Sequence, residues 1–383
     1  MARSTAHALG LVLALLTACT APAQPKPAPP SGPPGKAPPP AAVAAPEPVR
    51  AAPTRPAQLW PFTKMRGEDY IAVRDIAKRY ALKVAWSKPH AELTLSDARG
   101  ARIVFDKDQR DFQLDGARVF MGEIAILKND DLWVTKIDVI KTIAPLFAPA
   151  EHAAFLPAPP KVIVIDPGHG GTDPGKQNPR LKLDEKDMAL DVGLRLKKIL
   201  ELRGYRVVMT RATDKRFSNN PAVDLPLRAE LANKENADLF VSIHFNAVDR
   251  DPERVVGTET YVMTPQFQLS TQPEQDRPMV REQYPGNHQD VANVVLGYQL
   301  HRQLVADLKT SDRGYKRYRL AVLRPLKCPG VLVEAAYLSN DGEARRVATP
   351  EFRAQIAESL ADGIGNYSAA LAALRPTPRP TNP

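Results

Sequence analysis

Cysteine is nearly absent from this chain: Cys19 and Cys328 are the only two in 383 residues, so no disulfide framework supports the fold. Long apolar runs are missing at the N-terminus as well. The run from Ala8 to Leu16 is too short to be a spanning helix. The chain also lacks a long block of basic residues. Its net charge is +9 and its sequence pI about 9.4, yet Lys and Arg are interleaved with acids. That pattern describes a solvated basic surface and gives no support to a nucleic-acid partner, while an anionic membrane or an acidic polymer stays open. Histidine is scarce, with seven in all, and His90 is the single one in segment 58–148, which excludes a metal cluster there.

What is present divides the chain into stretches. Arg3 followed by the apolar run and small residues reads as a secretory signal over 1–19. Its end, Leu16-Thr17-Ala18-Cys19, resembles the lipobox of bacterial lipoproteins, in which cleavage before the cysteine leaves the thiol to be acylated. An ordinary signal peptide with an incidental Cys19 is the alternative. By the same resemblance, Thr20 after the cysteine favours sorting to the outer membrane, so the expectation is an exported, lipid-anchored protein on its periplasmic face. Residues 20–57 hold more than a third of the chain's 38 prolines. Such a stretch tends toward extended polyproline II, and at ~3.1 Å per residue it reaches roughly 100 Å. With Cys19 lipidated, Cys328 has no partner; just before the apolar Val331–Val333 it reads as a small buried residue rather than a catalytic thiol.

Residues 58–148 read as a small α+β domain. Tyr70–Lys78 and Trp133–Lys141 echo each other: an aromatic, a short β-like step, then Asp at a helix start. Alternating runs Glu92–Leu95, Arg102–Phe105 and Asp111–Leu114 lie between, with a hairpin turn at Asp115-Gly116 before Ala117–Phe120. The pattern resembles the stalk domain named after the N-terminal region of copper amine oxidases, a name that implies no copper here; a cell-wall-binding or spacer role and a simple folding unit both stay open. After a second Pro/Ala linker, 149–160, residues 161–372 alternate strand and helix as a doubly wound, mostly parallel α/β sheet flanked by helices. Expected strands are Val162–Ile165, Arg206–Met209, Leu239–Ile243, Thr258–Met263, Leu320–Leu323 and Val331–Val333. Expected helices run from a cap at Asp184 to about Arg203, over Leu227–Asn236, Val291–Leu308 and Phe352–Tyr367. The tail 373–383 is Pro-rich.

Four pieces carry chemistry: Asp166-Pro167-Gly168-His169-Gly170-Gly171, Glu185, Ser242-Ile243-His244-Phe245-Asn246, and Val333-Glu334. His169, His244 and Glu334 each follow a β-like run, and in an open α/β sheet the carboxyl ends of neighbouring strands converge on one crevice. Two imidazoles and one carboxylate form a known catalytic zinc set with a fourth position for water. The remaining carboxylate is free to act as a general base, which makes a hydrolase the leading reading.

In order along 161–372 these pieces are joined by Glu185-Lys186-Asp187, Thr210-Arg211, Leu227–Asn233, Gly257-Thr258-Glu259, Val322-Leu323-Arg324 and Ser339-Asn340. The ordered set resembles the zinc-dependent N-acetylmuramoyl-L-alanine amidases, over slightly more than half of the chain. The resemblance implies one zinc ion held by His169, Glu185 and His244, with Glu334 as the catalytic carboxylate. It implies peptidoglycan as substrate, cut at the amide between N-acetylmuramic acid and L-alanine by water activated at the zinc. Alternatives are a catalytically inactive peptidoglycan-binding lipoprotein and a zinc peptidase acting within stem peptides. Asp166 and Asn246 read either as partners that orient the imidazoles or as structural hydrogen bonders. Arg211 and Arg228 read either as contacts to substrate carboxylates or as salt bridges within the fold; His288 and His301 do not read as ligands. The segment 264–290 departs from the simple pattern. In some family members an extra segment near here covers the zinc until a regulatory activator protein removes it, and Glu274 or Glu282 would be the blocking group. Pro265, Pro273, Pro278 and Pro285 argue against a well-formed blocking helix.

Overall fold

Strand-forming runs punctuated by turns fill both halves of the chain. The computed structural model describes residues 60–272 and 277–375; the signal region, Cys19, the linker 20–57 and residues 376–383 lie outside the described residues. The first half supplies β1 (Thr63–Met65), β2 (Glu68–Ala72), β3 (Lys83–Lys88), β4 (Glu92–Ser96), β5 (Arg102–Asp106), β6 (Asp111–Leu114), β7 (Ala117–Phe120), β8 (Ile126–Lys128) and β9 (Asp131–Thr135). The second supplies β10 (Val162–Pro167), β11 (Gln177–Asn178), β12 (Leu183–Asp184), β13 (Arg206–Met209), β14 (Leu239–Asn246), β15 (Thr258–Val262), β16 (Asp312–Arg317) and β17 (Gly330–Tyr337).

The strands after residue 161 form the doubly wound half. β13, β10, β14 and β17 run parallel in that order, β15 adds antiparallel to β17, and β16 adds parallel to β15. Burial on both faces explains why β10, most of β14 and the start of β17 read as apolar runs. Ile163, Ile165, Leu239, Val241, Ile243, Val331 and Val333 enter the larger core, which holds the helices Glu185–Leu202, Asp290–Leu308 and Pro350–Ala373. Val164, Phe240 and Leu332 face the other way, into a second core with Ala229 and Ala232 of the helix Pro221–Lys234. Cys328 is buried in that second core, where burial pushes its thiol up to about 12; it is an inert packing residue.

The two halves share one sheet. β7 pairs in parallel with β16, so the large sheet continues through β7-β6-β5-β4-β3 to a total of 11 strands. The β6–β7 hairpin turns at Asp115 and Gly116, both at positive φ, 50° and 85°, as an Asp-Gly hairpin turn requires. The repeated sequence in 70–78 and 133–141 pairs with itself: β2 lies antiparallel to β9 in a separate four-stranded sheet, with Tyr70 opposite Thr135. The segment 149–160 carries a 3-10 helix, Pro149–Phe155, tied back by Glu151 to Arg79 at 2.9 Å, and Leu156 is buried.

Three local expectations are corrected. Leu320–Leu323 is a turn, closed by Leu323 and Arg324 amides on the Leu320 carbonyl, with Val322 and Leu323 buried in the second core. A short apolar run does not distinguish a strand from a buried turn. The strand in that region is β16, whose charged letters, Asp-Arg-Gly-Tyr-Lys-Arg, conceal it. The helix expected from Leu227 begins at Pro221, capped by the Asn220 side chain on the Ala222 amide and tolerating Pro226 near its start. Asp184 does occupy the cap position of the helix Glu185–Leu202, but its side chain makes no cap bond and accepts from Gln177 Nε2 instead.

Candidate metal centre and active site

The parallel register of β10, β14 and β17 brings three chain segments to one edge. His244 stands opposite Glu334 across the β14/β17 pair, and the loop after β10 carries His169 beside them. His169 itself has a left-handed backbone, φ 62°, which a side chain adopts only when its surroundings hold it there. Two arginines do so. Arg211 donates to the carbonyls of Pro167, Gly168 and Lys186, and Arg228 to those of Pro167 and His169. Arg228 is also paired with Asp166 at 2.9 Å and Asp224 at 2.7 Å. Of the two readings of these arginines, the fold-internal one is what the structure contains. Asp166 is likewise committed to Arg228, Thr210 and Ser242, not to either imidazole.

The ligand atoms of His169, Glu185 and His244 lie within 4.8 Å of one another, the one such group of His, Cys or acidic side chains among the described residues. Glu185 Oε2 is 3.1 Å from His169 Nε2, and Glu185 Oε1 is 2.9 Å from His244 Nδ1. Its carboxylate also accepts the Lys176 and Phe245 amides at 2.7 and 3.0 Å. Burial on its own would raise the Glu185 pKa, but the hydrogen bonds and charges of the two imidazoles hold it far below the usual carboxylate range. Two glycines make room for this packing. A Cβ on Gly168 would collide with the His244 ring, and one on Gly175 would come within 2.6 Å of both Glu185 Oε2 and His169 Cδ2.

Two residues that the sequence reading missed complete the surroundings. Asp173, four residues after His169, places Oδ2 3.0 Å from His169 Nδ1 and is itself held by the Gly175 amide at 3.1 Å. It faces the ring nitrogen away from Glu185, which leaves Nε2 for the centre, an arrangement typical of metal-binding histidines. The spacing His-x-x-x-Asp within the glycine loop was its available signal. Asn246, the other expected imidazole partner, instead binds Glu259 and the Tyr337 hydroxyl. Glu259 was quoted in the sequence but given no role; it stands directly opposite Glu334 in the β15/β17 pair.

Glu334 combines an intermediate residue exposure with a carboxylate Oε2 that is sealed from solvent and, among the described residues, has no hydrogen-bond partner. Burial, then the charges of Glu185 and Glu259, push its pKa well above the usual carboxylate range. A buried, unpartnered carboxylate oxygen on the residue opposite His244 suits a site that takes a cation or polar ligand better than a closed structural network. The donor set of two nitrogens and one carboxylate oxygen matches that of catalytic zinc.

Other candidates lie elsewhere. His301 is buried between Thr260 and Asp312, and His288 sits in the 3-10 turn Pro285–Gln289. Glu282 is exposed and outside the converging group, and Glu274 lies outside the described residues. The described part of 264–290 is engaged with the first half of the chain. Gln268 donates to Asp138 and Thr142, and Arg110 donates to the Ser270 and Thr271 carbonyls. A cavity of about 340 Å³ between them is lined by Glu68, Glu123, Phe267, Leu269 and Arg281 and includes none of the centre's residues.

A family model described as N-acetylmuramoyl-L-alanine amidase matches residues 163–366. The germination-specific N-acetylmuramoyl-L-alanine amidase of Bacillus subtilis is 30% identical over 221 residues, covering 55% of this chain and 81% of that protein. The amidase LytC of the same organism is 31% identical over 207 residues, 54% of this chain and 35% of LytC, so the chain spans about a third of that longer relative. The solved structure of the amidase AmiC2 of Nostoc punctiforme covers 54% of this chain and 96% of its own, at 32% identity and a TM-score of 0.44. Because the family match takes in more than half of the 383 residues, including both histidines, Glu185 and Glu334, the chain belongs to the N-acetylmuramoyl-L-alanine amidase family.

Proposed function

We propose that this protein is a zinc-dependent peptidoglycan amidase that hydrolyses the bond between N-acetylmuramic acid and L-alanine. The carrying observation is the convergence of His169, Glu185 and His244 with Glu334 in register on the next strand. A zinc ion held by His169, Glu185 and His244 would polarise the scissile carbonyl and strengthen water as a nucleophile. Glu334 takes the proton from the attacking water and hands it to the departing L-alanine nitrogen, so one carboxyl serves both halves of the reaction. Burial and the neighbouring acids Glu185 and Glu259 raise its pKa above the ordinary carboxylate value, which strengthens it as a proton acceptor. Asp173 keeps the His169 ring oriented, and Arg211 and Arg228 keep the glycine loop from relaxing. The lipobox at Cys19 and the Pro-rich stretch 20–57 support export and a lipid anchor on the periplasmic face of the outer membrane, with a tether toward the cell wall. Among the described residues no helix is long and apolar enough to cross a membrane.

Mass analysis of digested peptidoglycan, with and without chelator, tests the reading. Metal-dependent release of stem peptides beginning at L-alanine is expected. Shorter peptides would favour a peptidase, and the absence of any metal-dependent product an inactive binding protein. Glu334→Gln should retain zinc and lose activity by on the order of 10²–10⁴-fold; persistent turnover would remove Glu334 from the role of base.

A further inference from the structure

We infer that the first half of the chain helps to hold the catalytic base: Phe120 of β7 and Lys316 of β16 are positioning residues for the Glu259–Glu334 carboxylate pair. The inference rests on the reading of Glu334 as the base. Directly opposed residues on an antiparallel pair project to the same side with Cβ atoms about 4.5–5.5 Å apart. Glu259 and Glu334 are such a pair, so a second buried acid faces the base. Like charges placed opposite one another repel unless one of them is neutralised locally.

Glu259 is neutralised by five hydrogen bonds. Its Oε1 accepts from Lys316 Nζ at 2.6 Å, Tyr337 Oη at 2.7 Å and Arg313 Nε at 3.0 Å. Its Oε2 accepts from Tyr261 Oη at 2.6 Å and Asn246 at 3.2 Å. Lys316 is the buried cation of this set, and part of what covers it comes from the first half of the chain. Its ammonium lies 5.5 Å from the centroid of the Phe120 ring and 5.7 Å from that of Tyr261. Phe120 is seated by the β7/β16 pairing and by Gly314, where any Cβ would run into the Phe120 ring. The Arg118 amide adds a 2.8 Å bond to Asp312 Oδ2 beside it.

The chain of contacts therefore runs Phe120, Lys316, Glu259, Glu334. Removing the ring admits water to Lys316 and loosens its hold on Glu259, which then turns its charge on the base. The metal ligands are held by different groups, Asp173 and the amides of Lys176 and Phe245. The predicted defect is therefore in turnover rather than in zinc binding or substrate affinity.

Steady-state kinetics of the full chain, loaded with zinc, tests this with Phe120→Ala, Phe120→Leu, Lys316→Met and Lys316→Arg. Lys316→Met should lower kcat on the order of 10–100-fold with KM and zinc content unchanged. Phe120→Ala should lower kcat less, and Phe120→Leu and Lys316→Arg should recover most of the loss. If wild type turns over and Glu334→Gln does not, while Lys316→Met and Phe120→Ala keep full kcat, the inference fails and the amidase reading stands. A rise in KM alone, or a matching loss of zinc, likewise overturns it. A wild-type protein without metal-dependent release overturns both.

Discussion

Asp173 orients a ring of the candidate metal centre from outside the group of His169, Glu185 and His244. Its 3.0 Å bond to His169 Nδ1 fixes which ring nitrogen faces Glu185. Asp173→Asn should keep the fold and weaken zinc affinity by roughly 10–100-fold, measured by competition with a chromophoric chelator; unchanged affinity would reduce Asp173 to a loop residue. Glu259 makes a different prediction, about acid stability. Burial alone would push its pKa up, but Lys316, helped by the Tyr261 and Tyr337 hydroxyls, brings it down to about 2. A carboxylate in the unfolded chain titrates at about 4.3. The stabilisation is complete above that value and is lost as the pH falls from there toward about 2, because the unfolded chain takes up the proton first. Urea unfolding between pH 5 and pH 2 should show a steeper loss of stability for wild type than for Glu259→Gln; parallel profiles would contradict the assignment.

At the scale of elements, the legible parts were those whose residue pattern is imposed by burial. β10, β14 and β17 are sandwiched between two cores, so most positions before Asp166, His244 and Glu334 are apolar, Ser242 excepted, and the polar residues stand out as chemistry. β16 was not legible, because Asp312, Arg313, Lys316 and Arg317 are satisfied by partners from remote parts of the chain, such as Glu259 and Gln268. The segment after β15 is similar. Its prolines spoke against a blocking helix, but nothing local revealed that Gln268 would enter a buried cluster with Asp138 and Thr142. Asp138 also receives the Gly122 amide at 2.7 Å, so Gln268→Ala strips a donor from a buried acid. The expected cost is about 1–3 kcal/mol, read from the urea midpoint. A neutral effect would mean that the segment is only loosely seated. Deleting residues 267–285 should accordingly destabilise the protein rather than activate it, as judged from thermal unfolding and initial rates together.

At the scale of the molecule, the shared sheet changes what the first half of the chain is for. β7 covers the edge of β16, and an uncovered edge of that kind offers free backbone groups to other chains. A truncation to residues 161–375 should therefore show a lower thermal midpoint and concentration-dependent association by light scattering. A monodisperse, equally stable fragment would mean that the second half folds without the first. By itself the amino-acid sequence determined the α/β alternation of 161–372 and pointed to His169, Glu185, His244 and Glu334 as candidates, because strand ends, glycine turns and apolar periodicity are local signals. Tertiary structure decided what depends on distant partners. It turned Arg211 and Arg228 inward onto the glycine loop, joined Asp173 to His169, set Glu259 against Glu334 and merged two expected sheets into one. Ion pairing and strand-edge pairing act between residues far apart in sequence, and their partners are fixed only when the chain has folded.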